Sequence, residues 1–172
     1  MKKMPDQMIP VFSLFIAGLF LLFPGGLQAQ PEAKLDLKTK VEREVQVMKK
    51  GQSTVARVAA DQTAPGEILV YTIVYTNAGG SAMTKAVIVN PIPQGVVLKP
   101  ESVEGQDAEV SCSIDNGRSY QPPPIMVRTK KADGSETVEP APADRYTQVK
   151  WVITKPVMPG QSGQVSFKAT VK

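Results

Sequence analysis

Residues 164–171, Gln-Val-Ser-Phe-Lys-Ala-Thr-Val, set Val165, Phe167, Ala169 and Val171 in strict alternation with Gln164, Ser166, Lys168 and Thr170. Period two over eight residues describes a strand with two distinct faces, because side chains alternate sides along an extended backbone. Pro159-Gly160 precedes this run as a turn. A second pair, Pro65-Gly66, opens a similar run in which Leu69, Tyr71, Ile73 and Tyr75 alternate with Val70, Thr72, Val74 and Thr76. Two such strands, with no helical pattern between them, make an antiparallel β-sandwich the economical architecture. The expected core is Tyr71, Ile73 and Phe167 together with Trp151, the single tryptophan, which shares period two with Val149 and Ile153.

The rest of the chain reads as further strands around these two. Residues 38–48 fit two patterns: Val41, Val45 and Met48 have helical spacing, whereas Val41, Arg43, Val45 and Val47 follow period two. The β-branched valines favour the strand. Gly51-Gln52 turns the chain into a short strand over 54–59. The strand over 67–77 ends at Asn77-Ala78-Gly79-Gly80, residues that tolerate positive φ. Residues 83–90 carry apolar side chains on both faces (Ala86 and Ile88, then Val87 and Val89), which predicts an inner or partly covered strand. The prolines of 90–95 predict a rigid turn. Residues 96–98 and 102–104 read as short extended pieces and 109–114 as a strand.

The N-terminus reads as a secretory signal: Lys2 and Lys3, an uncharged apolar run over 11–23, the breaker Pro24-Gly25-Gly26, and a small residue at Ala29, after which the cut is placed. A spanning helix needs about 20 apolar residues, so this run is short for a permanent anchor, which is the competing reading. No transmembrane span is then expected after cleavage. Removing 1–29 from 172 residues leaves 143, one ordinary domain, with 30–37 as a flexible lead-in and 38–172 as the domain. The formal charge of +4 falls to +3, since the leader holds two lysines and one aspartate. A mild, scattered excess gives no reason to expect nucleic acid as a partner.

One cysteine, Cys112, cannot form an internal disulfide, so the core must supply the stability. It alternates with Val110 and Ile114, as a small buried hydrophobe would; a disulfide to another chain is the alternative. Residues 118–145 change composition, with Pro122-Pro123-Pro124 and Glu139-Pro140-Ala141-Pro142 flanking a hairpin predicted to return through Asp133-Gly134. This long surface excursion is the expected contact surface, since long loops in compact domains often carry function. Tyr120 and Tyr146 at its ends could stack on sugar rings, or pack the loop onto the sandwich.

The absence of histidine removes Ser-His, Cys-His and His-metal arrangements together. Gly160-Gln161-Ser162-Gly163 lacks the context of a nucleophile elbow, and Asp115-Asn116-Gly117 holds only a fragment of a calcium-loop pattern. No catalytic, cofactor-binding or metal-binding residue is assigned, and the chain is expected not to be an enzyme.

Several segments in order carry a resemblance: Pro65-Gly66-Glu67, Tyr71-Thr72-Ile73, Thr76-Asn77-Ala78-Gly79, Asn90-Pro91-Ile92-Pro93-Gln94-Gly95-Val96, Ser113-Ile114-Asp115-Asn116-Gly117, Tyr146-Thr147-Gln148-Val149-Lys150-Trp151, and Met158-Pro159-Gly160-Gln161-Ser162-Gly163. Together, over roughly 41–172, they resemble the repeat catalogued as domain of unknown function 11, found on exported bacterial and archaeal surface proteins. The resemblance implies an immunoglobulin-like fold without established catalysis, and no functional residue to carry over. This chain has one copy, against the family's frequent tandem arrays, and Asn90 where the family commonly has Asp. The expected function is protein contact or a structural role in the bacterial cell envelope, in the periplasm or at the cell surface, with an envelope or surface protein as partner. A polysaccharide-binding module is the first alternative and an exported hydrolase, built on a convergent carboxylate pair, the second.

Overall fold

The computed structural model describes residues 32–131 and 134–172. The expected signal segment, the cut after Ala29 and Asp133 of the predicted hairpin turn lie outside the described residues. Ten strands follow in chain order: β1 (Leu35–Lys49), β2 (Gln52–Ala59), β3 (Ile68–Asn77), β4 (Val87–Pro91), β5 (Val96–Gly105), β6 (Ala108–Ser113), β7 (Met126–Lys130), β8 (Glu136–Pro140), β9 (Gln148–Ile153) and β10 (Ser162–Val171). One 3₁₀ turn, Ala143–Arg145, precedes β9. Every strand pairing is antiparallel, in a five-stranded sheet ordered β2-β1-β3-β10-β5, a three-stranded sheet ordered β4-β9-β6 and a separate β7-β8 hairpin. The protein is all-β. Among the described residues no helix is long and apolar enough to cross a membrane.

The two larger sheets share one core. Leu69, Tyr71, Ile73 and Tyr75 on β3, with Val165, Phe167 and Ala169 on β10, are buried on the face that the alternating pattern marks. Tyr71 and Phe167 are cross-strand partners, and their rings stack 4.7 Å apart and nearly parallel. Trp151 on β9 closes the layer from the other sheet, 6.3 Å from the Phe167 ring, with no exposed surface. Its indole N–H donates to the carbonyl of Glu104 at 3.1 Å, so the ring is buried without an unmet donor. Each such aromatic contributes about 1.5–3 kcal/mol by leaving water.

Five expectations need correction. The strand over 83–90 is shorter, because Lys85 takes a positive φ of 54° and breaks it. What remains is β4, an edge strand whose Val87 and Val89 are exposed while Ile88 is buried. The pieces 96–98 and 102–104 are one strand, β5, carrying a bulge where its register against β10 shifts between Ser166 and Lys168. Pro100 has no amide to offer there, and the Ser102 hydroxyl replaces the ladder, accepting from Lys168 N and donating to Lys99 O. The lead-in to residue 37 is held: Leu35, Asp36 and Leu37 pair with Asn77, Thr76 and Tyr75. Gly80 N and Ala78 N donate to Glu32 O and Lys34 O. Gly79 is needed for this close approach, not for positive φ, since a Cβ there would run into Glu32 and Lys34. Last, the excursion is rooted in the core at Ile125 and Ala141, both buried.

Among the described residues, one buried apolar side chain of the five-stranded sheet lies on its outer face. Val70 sits between Glu42 on β1 and Lys168 on β10, and Lys168 reaches across β3 to Glu44 at 2.7 Å. Long charged side chains cover apolar surface with their methylenes in this way. Val70 is buried beneath that crossing although its face is polar.

Candidate contact surfaces

Two ribbons stand clear of the sheets. β1 pairs with β3 only from Leu35 to Arg43, while its pairing with β2 runs on to Lys49 and Gln52. Lys50 and Gly51, both at positive φ, close this ribbon as a two-residue hairpin loop. Met48 and Val55 are exposed on one face of it, and Val47 and Val58 on the other. At its root Arg43 donates to Glu67 at 2.8 Å, while its Nε is buried without a protein partner among the described residues. The Glu67 carboxyl accepts the Ala64 amide as well, and the two contacts hold it below the usual carboxylate range.

The second ribbon is β7-β8. Its pairs Met126–Pro140 and Arg128–Val138 put Met126, Arg128, Val138 and Pro140 on one face, and Met126 and Val138 are about half exposed. The opposite face turns Val127 toward the core cluster. An exposed apolar face on an otherwise unpaired hairpin is the kind of surface that marks a protein contact.

The two tyrosines at the ends of the excursion, weighed as sugar-stacking or as loop-packing residues, are both engaged within the fold. Tyr146 is only 4% exposed, and its hydroxyl accepts the Ile125 amide at 2.9 Å. Tyr120 donates its hydroxyl to Gln148 and carries the Lys150 ammonium 4.0 Å from its ring centroid. Tyr146 is therefore a core residue and not a contact residue, and the ring face of Tyr120 already holds a cation.

The Asp115 loop is a closed hydrogen-bonded turn. Ser119 donates to Asp115 through its hydroxyl at 2.5 Å and its amide at 2.9 Å, and the Ser113 hydroxyl donates at 2.7 Å. These donors stabilise the charged carboxylate and bring its pKa down to about 2, the Ser119 hydroxyl contributing most. Among the described residues no group of three or more Cys, Asp or Glu side chains is placed to hold a metal ion. Cys112 is fully buried, and that burial pushes its thiol up to about 11, so it is a protonated core side chain at neutral pH.

Sequence reading placed a hairpin in the 118–145 segment, where β7 and β8 lie, but missed the β1-β2 ribbon and the outer face of β4. Residues 52–59 hold two valines on opposite faces with a single charge at Arg57, which reads as an ordinary strand until the register shows it overhanging β3. Comparison with protein-family models, with curated proteins and with solved structures finds no match to this chain.

Proposed function

We propose that this chain is a non-catalytic, exported module with an immunoglobulin-like β-sandwich that works by contacting another protein of the bacterial cell envelope. The leader-like residues 1–29 and the ordered segments resembling domain of unknown function 11 support the address. The likeness is one of architecture. Lettering β1, β3, β4, β5, β6, β9 and β10 as A to G gives sheets A-B-G-D and C-F-E. The immunoglobulin constant type has A-B-E-D and C-F-G, so two strands have traded sheets.

The observation that carries the contact role is the β7-β8 ribbon, which displays exposed Met126 and Val138 and pairs with no other strand among the described residues. A photo-cross-linking residue placed at Met126 or Val138 in intact cells should give discrete adducts containing an envelope protein, identified by mass spectrometry. Recovery of the protein from the cytoplasmic fraction, or no adduct from either position, would overturn the proposal.

A further inference from the structure

β10 is flanked by β3 over Ser162–Thr170 but by β5 only from Val165 to Val171. β5 ends at Gly105, and Gln106 and Asp107, the latter at a φ of 54°, carry the chain across into β6 of the other sheet. Among the described residues no strand continues the lane beside Ser162, Gly163 and Gln164. In an antiparallel strand the N–H and C=O of alternate residues point to the same side. Gln161 faces β3, since its carbonyl accepts from Asn77 N, and Lys168 faces β5, since its amide donates to Ser102. The even-numbered Ser162 and Gln164 therefore turn their backbone donors and acceptors into this lane.

The lane is a cleft of about 670 Å³, lined among others by Glu104, Gln106, Asp107, Ser162 and Gln164. It adjoins a second cleft of about 280 Å³ that shares Tyr75, Asp107 and Ser162 with it. Tyr75 is 6% exposed and pairs across the ladder with Gly163. A Cβ at Gly163 would collide with the Tyr75 ring, so the glycine is what lets that ring cross β10. The hydroxyl so delivered lines both clefts and has no hydrogen-bond partner among the described residues. Burial, then the nearby Asp107 charge, raises its pKa. The ring is buried while the hydroxyl at its tip opens onto the clefts, where it is free to meet a ligand.

The charge of the cleft is acidic. Asp107 is paired with Lys155 at 3.0 Å, while Glu104 has no ion-pair partner among the described residues.

We propose that this cleft binds an extended peptide carrying a lysine or arginine, which continues the lane of β5 as a short added strand on β10. Its backbone pairs with Ser162 and Gln164, its basic side chain lies against Glu104 and Asp107, and the Tyr75 hydroxyl meets one of its polar groups. Main-chain pairing of this kind supplies affinity and the neighbouring side chains supply selectivity. The inference rests on the reading of this chain as a protein-contact module, and it locates a second contact apart from the β7-β8 ribbon.

The test uses ¹⁵N-labelled protein, purified after expression of the full chain, and three blocked heptapeptides of alternating threonine and valine. One has a central lysine, one a central glutamate, and the third is the lysine peptide with alternate amides methylated. The lysine peptide should shift the amide resonances of Gly105, Gly163 and Gln164. The glutamate peptide should bind about tenfold more weakly, a difference of about 1.4 kcal/mol. The methylated peptide should not bind. Tyr75→Phe should weaken the lysine peptide by about 2- to 10-fold, as for loss of one hydrogen bond, and Asp107→Asn should narrow the preference for lysine over glutamate. No shift at those amides with millimolar peptide overturns the proposal. So does binding indifferent to methylation, or an N-acetylglucosamine oligomer that moves the same resonances while the peptides do not. Cross-links at Met126 or Val138 alongside a silent cleft would leave the contact role standing and remove this site alone.

Discussion

Tyr146 and Tyr75 are both more than nine-tenths buried, yet their hydroxyls meet different surroundings. Tyr146 closes the root of the β7-β8 excursion, where its oxygen accepts the amide of the buried Ile125. Tyr75 lies over Gly163, and its oxygen looks into a lane that β5 has left. The same residue type thus completes one region and leaves the other unfinished. A buried tyrosine marks structure when its tip is answered from within the fold, and it marks a binding surface when the only remaining answer must come from outside.

The comparison presupposes a rigid centre from which both regions hang, and that centre can be attacked first. Trp151→Ala should cost about 3–5 kcal/mol in chemical denaturation, because it removes the ring that packs on Phe167 and abandons the Glu104 carbonyl. A loss below about 1 kcal/mol would mean that the two sheets do not depend on that contact, since such small changes are typical of surface positions.

How far this centre was legible in the sequence follows from what fixes each part. Alternation along a single strand marked Tyr71, Ile73, Trp151 and Phe167, since an inward face is a property of neighbours in the chain. Strand register is a property of partners. The burial of Val70 beneath the Lys168–Glu44 crossing could not be read from a polar-looking face. Nor could the overhang of β2 beyond β3, or the early departure of β5 that empties the lane beside Ser162. Tyr75 and Gly163 are 88 positions apart, and only their pairing across the ladder shows why a glycine must face that ring. The candidate contact surfaces were legible only at the 118–145 excursion, where composition shifts. The prolines that announced a loop said nothing of the buried Ile125 and Ala141 that anchor it.

Tyr146→Phe probes the completed region. The ring stays, but the Ile125 amide loses its acceptor in a dry site, and an unmet buried donor costs about 1–3 kcal/mol. The measurement is the denaturation midpoint, with hydrogen exchange at Ile125 as the local readout. Unchanged stability with unchanged exchange would show that water reaches that amide and would erase the contrast with Tyr75.

The Asp115 loop, which lies between β6 and the excursion, adds a pH dependence to the same side of the comparison. Its carboxyl has a folded pKa of about 2, below its unfolded value. Between those values the unfolded chain holds more protons, so the contribution is complete above the unfolded value and disappears as pH falls through about 2. Glu67 is lowered too, so the wild type carries that background in the same direction. Asp115→Asn should be less stable at neutral pH and should lose less on acidification from about pH 4 to about 2. Parallel stability-versus-pH curves for the two proteins would show that the Ser113 and Ser119 donors give the carboxylate no preference for its charged form.

Tyr75→Phe is the smallest effect expected on folding and the most telling for the comparison. Removing a hydroxyl that has no hydrogen-bond partner among the described residues abandons none of them, so stability should stay within about 0.5 kcal/mol of wild type. The phenylalanine ring still covers Gly163. A change above about 1 kcal/mol, on the scale of a lost hydrogen bond, would mean that the hydroxyl is satisfied internally and that Tyr75 belongs with Tyr146. A neutral result, paired with weaker peptide binding by the same variant, separates the two roles.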